Sequence, residues 1–483
     1  MKLNKFLAFS VALAVCMPVA TLNVLDNNTS SIVAYADIVD GDFKFSTYSN
    51  GTATLTKYSG NSTDVVIPSE VTTEDGTTYS VTAIGMDAFQ NNVAISTLTI
   101  PSSIKEISMS VFSGCSTLTT VTFEEGSELT SIGNYSFSSC TALESINLPT
   151  GLENIGMGVF SDCTTLKQIT LPNTLAKLDS SAFSGCTKLK SIVLPESLSE
   201  VNNNAFANCS RLTSVEILGT TSFGDEVFKD CKSLTTVSLG KISKVGSYMF
   251  DGCESLTSIN IPSTVDTISK YAFRNCTSLT GVTLNDGLVN IKEGAFSGCT
   301  SLANTKFPST LVSIETYAFK DNSALKSVTI SENVTTIGFG AFFNCKNLSS
   351  VTLPSSVKTI EKCAFANCPK IVTVTIPESV TVINNWAFGY TGSSILWGNL
   401  QNVQPVENFT IVGTVDSEAQ YYAEDNNINF IDVASGNVPN PPTPIPEKPS
   451  ADNFKNGVYC DVNGDGVANI VDLLLMKKYI LGM

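Results

Sequence analysis

LESINLPTGLENIGMGVFSDC, residues 143–163, is the clearest copy of a pattern that recurs along most of this 483-residue chain. Ile146 and Leu148 alternate with polar neighbours, which is the period of a half-buried strand. Pro149 cannot donate a ladder hydrogen bond, so it ends the strand. The later apolar positions return the chain along a second wall. One unit cannot bury its own apolar face but stacked units can, so the pattern predicts a solenoid.

Cysteine and phenylalanine fix the length of the unit. Eleven of the 14 cysteines follow one another mostly at 22 or 23 residues, and a phenylalanine stands three residues before each of these eleven. The frame extends through Asn92, Asn322 and Thr391, which stand where Cys is expected, and gives about fourteen coils of ~23 residues. One parallel solenoid over residues 80–391 is therefore predicted, with an internal phenylalanine column. Its members are Phe89, Phe112, Phe137, Phe160, Phe183, Phe206, Phe228, Phe250, Phe273, Phe296, Phe319, Phe342, Phe365 and Phe388.

The unit L-x-x-I-x-L-P-x-x-L-x-x-I-G-x-x-A-F-x-x-C resembles the BspA-like leucine-rich-repeat family, and the resemblance covers residues 80–391. Residues 37–79 resemble that family's N-terminal cap. Residues 392–433, with Tyr422 and Ala423, resemble an insertion followed by its C-terminal cap. Caps are also physically required, because end coils would otherwise expose apolar faces and open strand edges. The resemblance implies a leucine-rich-repeat solenoid with a surface-exposed binding or adhesion role.

Composition narrows the function. The net charge is −16 and the pI is about 4.5, so the acidic surface disfavours nucleic acid as a partner. The chain has no histidine, which excludes Ser-His-Asp and Cys-His catalysis and His-ligated zinc. Enzymes that work through two carboxylates are not excluded by this argument. Because caps and repeats account for all of residues 37–433, no catalytic domain remains and we predict that the protein is not an enzyme.

The N-terminus predicts secretion. Two lysines precede an apolar run over residues 6–20, which is too short and interrupted to span a membrane. The A-x-A motif at 34–36 gives a signal peptide of residues 1–36, and a cut near Ala20 is the alternative. Residues 13–16 resemble a lipoprotein box with a poor residue before its Cys. No second apolar stretch follows, so no membrane span is predicted.

The cysteine column has two interpretations, a thiol array for metal or disulfides and a ladder of small buried hydrophobes. Stacked side chains keep their Cβ atoms at roughly the strand spacing of ~4.8 Å, longer than a disulfide prefers. We therefore predict buried and reduced thiols. Cys363 and Cys460 stand outside the column and are the better candidates for reactive thiols.

The outward face of the predicted strands is flat, polar and almost uncharged. The residue between the two inward positions is, in successive coils, Thr122, Asn147, Thr170, Val193, Glu216, Ser238, Asn260, Thr283, Lys306, Thr329, Thr352 and Thr375. No ring stands in this column, and rings are what sugar-binding surfaces usually offer. Protein contact is therefore favoured over glycan binding on this face. The plainer alternative is that Thr and Ser simply suit strands and water.

Residues 389–407 form an insertion longer than any other connection between repeats, and it contains Tyr390 and Trp397. Long insertions on a repeat scaffold often carry function. Packing over the end of the solenoid is the interpretation we prefer, and a binding role is the alternative.

Beyond the repeats, residues 434–455 are proline-rich and predict an extended spacer. Residues 461–472 then have calcium-loop spacing, with Gly466 giving the sharp turn at loop position 6. The predicted ligands are Asp461, Asn463, Asp465, the backbone carbonyl of Val467, Asn469 and Asp472. Their carboxylates repel one another until a divalent cation neutralises them, so calcium is the predicted cofactor.

This loop and the small leucine-rich helix predicted after it resemble a dockerin module over residues 456–483. The resemblance implies calcium-dependent docking onto a cohesin module of a cellulosome-type scaffold. It makes Ile470, Val471, Lys477 and Lys478 the candidate contact residues. Dockerins usually contain two such hands, and this sequence contains one.

Taken together, these features predict a secreted, extracellular, non-catalytic interaction or adhesion subunit. A cohesin holds it at a cellulosome or cell surface, and an unidentified protein or cell-surface ligand binds the solenoid. Two alternatives stay open. One is an accessory component of polysaccharide degradation that binds or acts on carbohydrate. The other is a secreted protease inhibitor or host-interaction protein.

Overall fold

The computed structural model of the protein describes residues 34–396 and 398–434. The predicted calcium hand, all but the first residue of the predicted spacer, and most of the predicted signal peptide lie outside the described residues. The limits predicted for the individual domains therefore stay predictions.

The described chain opens with β1 (Ala34–Asp40), β2 (Phe43–Tyr48), β3 (Thr52–Tyr58), β4 (Asp64–Val66), β5 (Glu70–Thr72) and β6 (Thr78–Ile84). Strands β1, β2 and β3 pair antiparallel, and β3 then pairs parallel with β6. The predicted A-x-A motif lies at the start of β1, where Ala34 pairs with Tyr48. The antiparallel strands thus lead into a parallel ladder that continues through the repeats.

The first repeats contribute β7 (Thr97–Ile100), β8 (Glu106–Ile107), β9 (Thr120–Phe123), β10 (Ser131–Ile132), β11 (Ser145–Ile146), β12 (Asn154–Ile155), β13 (Lys177–Leu178), β14 (Ser191–Leu194), β15 (Glu200–Val201), β16 (Ser214–Ile217), β17 (Ser222–Phe223) and β18 (Thr236–Ser238). The later repeats contribute β19 (Lys244–Val245), β20 (Ser258–Ile261), β21 (Thr267–Ile268), β22 (Gly281–Leu284), β23 (Asn290–Ile291), β24 (Ser313–Ile314), β25 (Ser327–Thr329), β26 (Thr336–Ile337), β27 (Ser350–Thr352), β28 (Thr359–Ile360), β29 (Thr373–Thr375) and β30 (Val382–Ile383).

These strands form two parallel walls. One wall is a ladder that begins at β6 and continues in two-residue strands through β8, β10, β12, β13 and β15 to β17. It resumes at β19 and runs through β21, β23, β24, β26 and β28 to β30. The other wall consists of strands of two to four residues in shorter groups, such as β14–β16–β18. Partners are equivalent positions in neighbouring coils, as in Ile132 with Ile155 and Ile155 with Leu178. The predicted parallel solenoid is confirmed.

Between the walls, the fourteen predicted phenylalanines form one buried column. Each is at most 2% exposed. Successive ring centroids lie 4.6 to 5.6 Å apart along the whole series, and most pairs are stacked. Burial of each ring stabilises the fold by about 1.5–3 kcal/mol, so the column is a main source of stability. It also extends beyond the prediction, since Tyr58 stacks on Phe89 and Phe409 on Phe388.

Two turns in each coil use left-handed backbone. The residue two positions before each column phenylalanine has positive φ in all fourteen coils. The residue two positions after it has positive φ in the first thirteen, and it is always Gly, Asn, Asp or Ser. These types tolerate that conformation best. In the last coil the positive φ moves to Gly389, where the insertion leaves the repeat frame.

The described chain ends with β31 (Tyr390–Thr391), β32 (Ile395–Leu396), β33 (Asn399–Leu400), β34 (Gln404–Pro405), β35 (Thr410–Gly413), the helix α1 (Glu418–Asp425) and β36 (Asn429–Asp432). Strands β35 and β36 add two parallel strands beside β29. The hydroxyl of Tyr422 donates to the carbonyl of Phe388 at 3.0 Å and accepts from its amide at 3.1 Å. These elements cover the last ring and pair backbone groups that the final coil would otherwise leave open.

Candidate binding surfaces

The outward strand column is exposed along its whole length, from Thr122 to Thr375. The residues that flank each member along the strand face inward, as in β14, where Ile192 and Leu194 are buried and Val193 is exposed. Alternation along a pleated strand produces this pattern. The predicted flat and mostly polar face therefore exists, and no ring lies in its central column.

The eleven column cysteines are buried free thiols, as predicted. Each Sγ lies 3.1 to 3.3 Å from the carbonyl oxygen of the phenylalanine one coil earlier and donates to it. Burial raises the thiol pKa, to about 12 for Cys115, Cys163 and Cys209. Neutral, hydrogen-bonded thiols are poor nucleophiles and poor metal ligands, so the column is structural.

Cys363 was a candidate reactive thiol, and that interpretation is wrong. Its side chain is fully buried, and burial raises its pKa to about 11. It packs with Phe343, Ala366 and Leu400 beneath the insertion. The position two residues before the phenylalanine is at least partly exposed in most other coils, but here the insertion covers it. The other candidate, Cys460, lies outside the described residues.

The insertion is a nested pair of hairpins. Strands β31 and β34 pair antiparallel, and β32 pairs antiparallel with β33 inside them. Lys362 binds the side-chain oxygen of Asn399 at 2.8 Å, and its ammonium lies 4.9 Å from the ring centroid of Trp386. The insertion therefore has a packing role, but it packs against the side of the last coils and not, as predicted, over the end of the solenoid. Trp397 lies outside the described residues.

The insertion also forms one wall of a cleft of about 580 Å³. Gly392, Ser393, Ser394 and Ile395 line the insertion side. The repeat side is lined by Tyr317, Lys320, Asp321, Phe343, Asn344, Lys346 and Asn367. The sequence patterns did not reveal this cleft. The one local signal was that Asn, Asp, Gly or Ser recurs at the left-handed turn two residues after the column phenylalanine.

A second cluster missed by the sequence patterns lies on the eighth and ninth coils. Arg274 makes a two-point contact with Asp251, at 2.9 and 2.6 Å, and the side chain of Asp251 is only 5% exposed. The guanidinium lies 5.2 Å from the ring centroids of both Tyr248 and Tyr271, which stack on each other. Burial and a hydrogen bond to Glu293 raise the pKa of Tyr271 to about 12. These charged and aromatic side chains pair with one another across the coil boundary, so the cluster joins neighbouring coils.

Within residues 34–396 and 398–434, no group of three or more acidic or cysteine side chains is placed to hold a metal ion. The predicted ligands Asp461, Asn463, Asp465, Val467, Asn469 and Asp472 all lie outside the described residues. The predicted cohesin contacts Ile470, Val471, Lys477 and Lys478 lie outside them as well. Among the helices of the described part, none is long and apolar enough to cross a membrane.

Parallel coils, stacked rings and exposed small polar strands define a leucine-rich-repeat solenoid. The family model for the BspA type leucine rich repeat region matches in 6 copies, over residues 58–181, 153–280 and 266–395. The chain belongs to this family. A second model, the dockerin type I domain, matches residues 447–482.

The chain is also similar to several solved structures. A leucine rich cell surface protein from Faecalibacterium prausnitzii is 25% identical, covering 77% of this chain and 98% of that one, with a TM-score of 0.42. A leucine-rich repeat protein from Bacteroides ovatus is 28% identical, covering 71% and 95%, with a TM-score of 0.47. The pneumococcal vaccine antigen PcpA is 20% identical, covering 81% and 96%, with a TM-score of 0.50. No curated protein matches the sequence.

Proposed function

We propose that this protein is a secreted, non-catalytic interaction or adhesion subunit that a calcium-dependent dockerin–cohesin contact holds on a cellulosome-type or cell-surface scaffold. The observation that carries the proposal is the dockerin type I match at residues 447–482, joined to a repeat solenoid. Both matched families are non-catalytic. Proteins of both kinds are typically extracellular, which agrees with the predicted signal peptide.

The donor set at the C-terminus fits calcium. Dockerin type I domains bind calcium, and the match includes every predicted ligand from Asp461 to Asp472. Carboxylate, amide and carbonyl oxygens are the hard ligands that calcium prefers. Bound calcium would supply the positive charge that lets the three Asp carboxylates approach one another. Ordering of the loop is then coupled to metal binding, which would present Ile470 and Lys477 to a cohesin.

The exposed strand face favours a protein as the partner that binds the solenoid. Its central column from Thr122 to Thr375 offers small hydroxyl and amide groups over many coils and no ring. Broad, flat surfaces of this kind suit protein contact better than sugar stacking.

The calcium proposal is tested on the full chain by calorimetry with calcium, followed by capture on an immobilised cohesin module with and without EDTA. Asp461→Ala should weaken calcium binding at least about tenfold and abolish capture, because it removes a charged ligand at the first loop position. Lys477→Ala with Lys478→Ala should leave calcium binding intact and weaken capture alone.

Asp452→Ala, an acidic residue before the loop, is the matched control and should change neither measurement. Because the sequence contains one hand, we expect modest affinity or self-association unless a second hand is supplied. Capture that persists in EDTA, or the absence of calcium heat at millimolar concentration, would contradict the proposal.

A further inference from the structure

The cleft beneath the insertion has features beyond those that packing requires. On its repeat side, three side chains from successive coils form a hydrogen-bonded ladder. Asn367 donates from Nδ2 to Oδ1 of Asn344 at 2.6 Å, and Asn344 donates from Nδ2 to Oδ1 of Asp321 at 2.7 Å. All three occupy the left-handed turn after the column phenylalanine, with φ between 59° and 63°. The ladder therefore follows the repeat at about the strand spacing of ~4.8 Å.

The ladder keeps unused hydrogen-bonding capacity toward the cleft. A primary amide has two donor hydrogens and an acceptor oxygen, and each ladder bond uses one donor and one acceptor. Each Asn therefore retains a second N–H, and the Oδ1 of Asn367 accepts no bond from the described residues. The three side chains are only partly buried and line the cleft. A ligand with closely spaced hydroxyl groups would find alternating donors and acceptors here.

An aromatic ring and two cations complete the repeat side. The ring of Tyr317 packs against Gly340 of the next coil, where a Cβ would come within 2.6 Å of it, and the ammonium of Lys320 lies over the ring, 5.2 Å from its centroid. The edge of Phe339 fixes its orientation, with ring centroids 5.1 Å apart. Lys320 lies 3.5 Å from the carboxylate of Asp321 and is thereby paired. Lys346 is exposed and makes no ion pair with any described residue, so it is the free cation of the cleft.

The opposite wall is preformed. Leu400 is buried against Phe343 and Cys363, and Tyr390 binds the side chain of Asn426 at 3.0 Å. These contacts hold the hairpin that presents the exposed Ser393 and Ser394 to the cleft. A wall fixed by buried apolar contacts needs little ordering when a ligand binds, which favours affinity. The volume of about 580 Å³ is within the usual range for small-ligand sites.

We propose that this cleft binds a short oligosaccharide, with a carboxylated sugar residue placed against Lys346. Amide and carboxylate groups in a row, with serine hydroxyls on the opposite wall, suit sugar hydroxyls. Tyr317 adds aromatic and hydroxyl surface to the lining of the cleft. The ladder spacing is close to the length of one pyranose ring in a linear polysaccharide. This site is separate from the strand face, where no aromatic column exists. It also goes beyond the cohesin attachment, because it needs no calcium.

The test uses the full chain, with tri-galacturonic acid as the acidic probe and cellotriose and xylotriose as neutral probes, in calorimetry and saturation-transfer NMR. The wild type should bind tri-galacturonic acid more tightly than either neutral trisaccharide. Asn344→Gly with Asn367→Gly should weaken binding of the acidic probe by about tenfold or more, since several hydrogen bonds are lost. Lys346→Gln should remove the preference for the acidic probe while leaving the neutral probes unaffected.

Asn208→Gly is the matched control. It has the same frame position and a φ of 61°, but it lies on a distant coil. Gly114, Gly185, Gly252 and Gly298 already occupy that position, so the substitutions to glycine fit the fold. The control should bind like the wild type, and EDTA should change nothing. The proposal is overturned by the absence of binding to all three probes, by unchanged binding in the Asn344→Gly, Asn367→Gly variant, or by equal weakening in the control.

Discussion

A buried asparagine interrupts the cysteine column in the eleventh coil. Asn322 is 0% exposed, and neither its side-chain nitrogen nor its oxygen has a hydrogen-bond partner among the described residues. Thr305, earlier in the same coil, is also buried with an unpaired hydroxyl. Burying a polar group without a partner costs about 1–3 kcal/mol. The coil therefore lacks the thiol-to-carbonyl bond that its neighbours make and carries a desolvation cost in addition.

Asn322→Cys should stabilise the protein by about 1–3 kcal/mol, because it removes the unpaired amide and lets a thiol donate to the carbonyl of Phe296. The reverse substitution one coil earlier, Cys299→Asn, should destabilise by a similar amount. Urea unfolding followed by circular dichroism measures both. If Asn322→Cys left the unfolding midpoint unchanged or lowered it, Asn322 would have a partner that the geometry does not show.

At the scale of the element, much could be predicted from sequence alone. The spacing of Phe89 to Phe388 placed every ring correctly, because a repeat period fixes which face each position occupies. The cleft could not be predicted in the same way. It depends on where the hairpin of residues 390–405 folds back onto coils up to some seventy residues earlier in the chain, and no local pattern encodes that contact. The left-handed turns at Asn344 and Asn367 were readable in principle, from Asn, Asp, Gly and Ser recurring in one frame position.

The cysteine column should make the solenoid sensitive to alkali. An unfolded thiol has an ordinary pKa near 9.0, whereas the folded values for Cys115, Cys163 and Cys209 are about 12. Between these values the unfolded chain releases thiol protons that the folded chain keeps. The contribution of the buried thiols to the free energy of unfolding is therefore fully present below pH 9 and is lost as pH rises toward 12. Each thiol lowers the free energy of unfolding by up to about 1.4 kcal/mol per pH unit in this range.

Urea unfolding between pH 7.5 and 10.5 checks this expectation. A Cys209→Ala, Cys231→Ala variant should be less stable at pH 7.5 but should lose stability less steeply with pH, since it has two fewer buried thiols. Both proteins have the same lysines and tyrosines, so the difference between their slopes of unfolding free energy against pH reports the two thiols alone. Equal slopes in the two proteins would show that the thiols do not control the alkaline transition.

At the scale of the whole molecule, each coil contacts mainly its neighbours, so stability should be distributed along one dimension. Disrupting the C-terminal elements should then loosen the last coils only. Tyr422→Phe with Phe409→Ala removes the hydroxyl bonds to Phe388 and the ring that covers it. Hydrogen exchange should rise near residues 365–388 and stay unchanged near residues 112–206.

Phe206→Ala is the internal comparison. It should cost about 3–5 kcal/mol and raise exchange in the coils on both sides of it, because it leaves a cavity within the ring column. A uniform rise in exchange along the entire solenoid in the Tyr422→Phe, Phe409→Ala variant would mean that the molecule unfolds as one unit.

The even spacing of the phenylalanine rings also sets how far the molecule reaches. Each coil of about 23 residues advances the column by one ring separation, near 5 Å. Among the described residues, the elements at the two ends contact only the first coils and the last few coils, so a coil gained or lost in the middle would require no change at either end. The length of the solenoid is thus proportional to its number of coils, and the number of repeats alone would set the distance between its two ends.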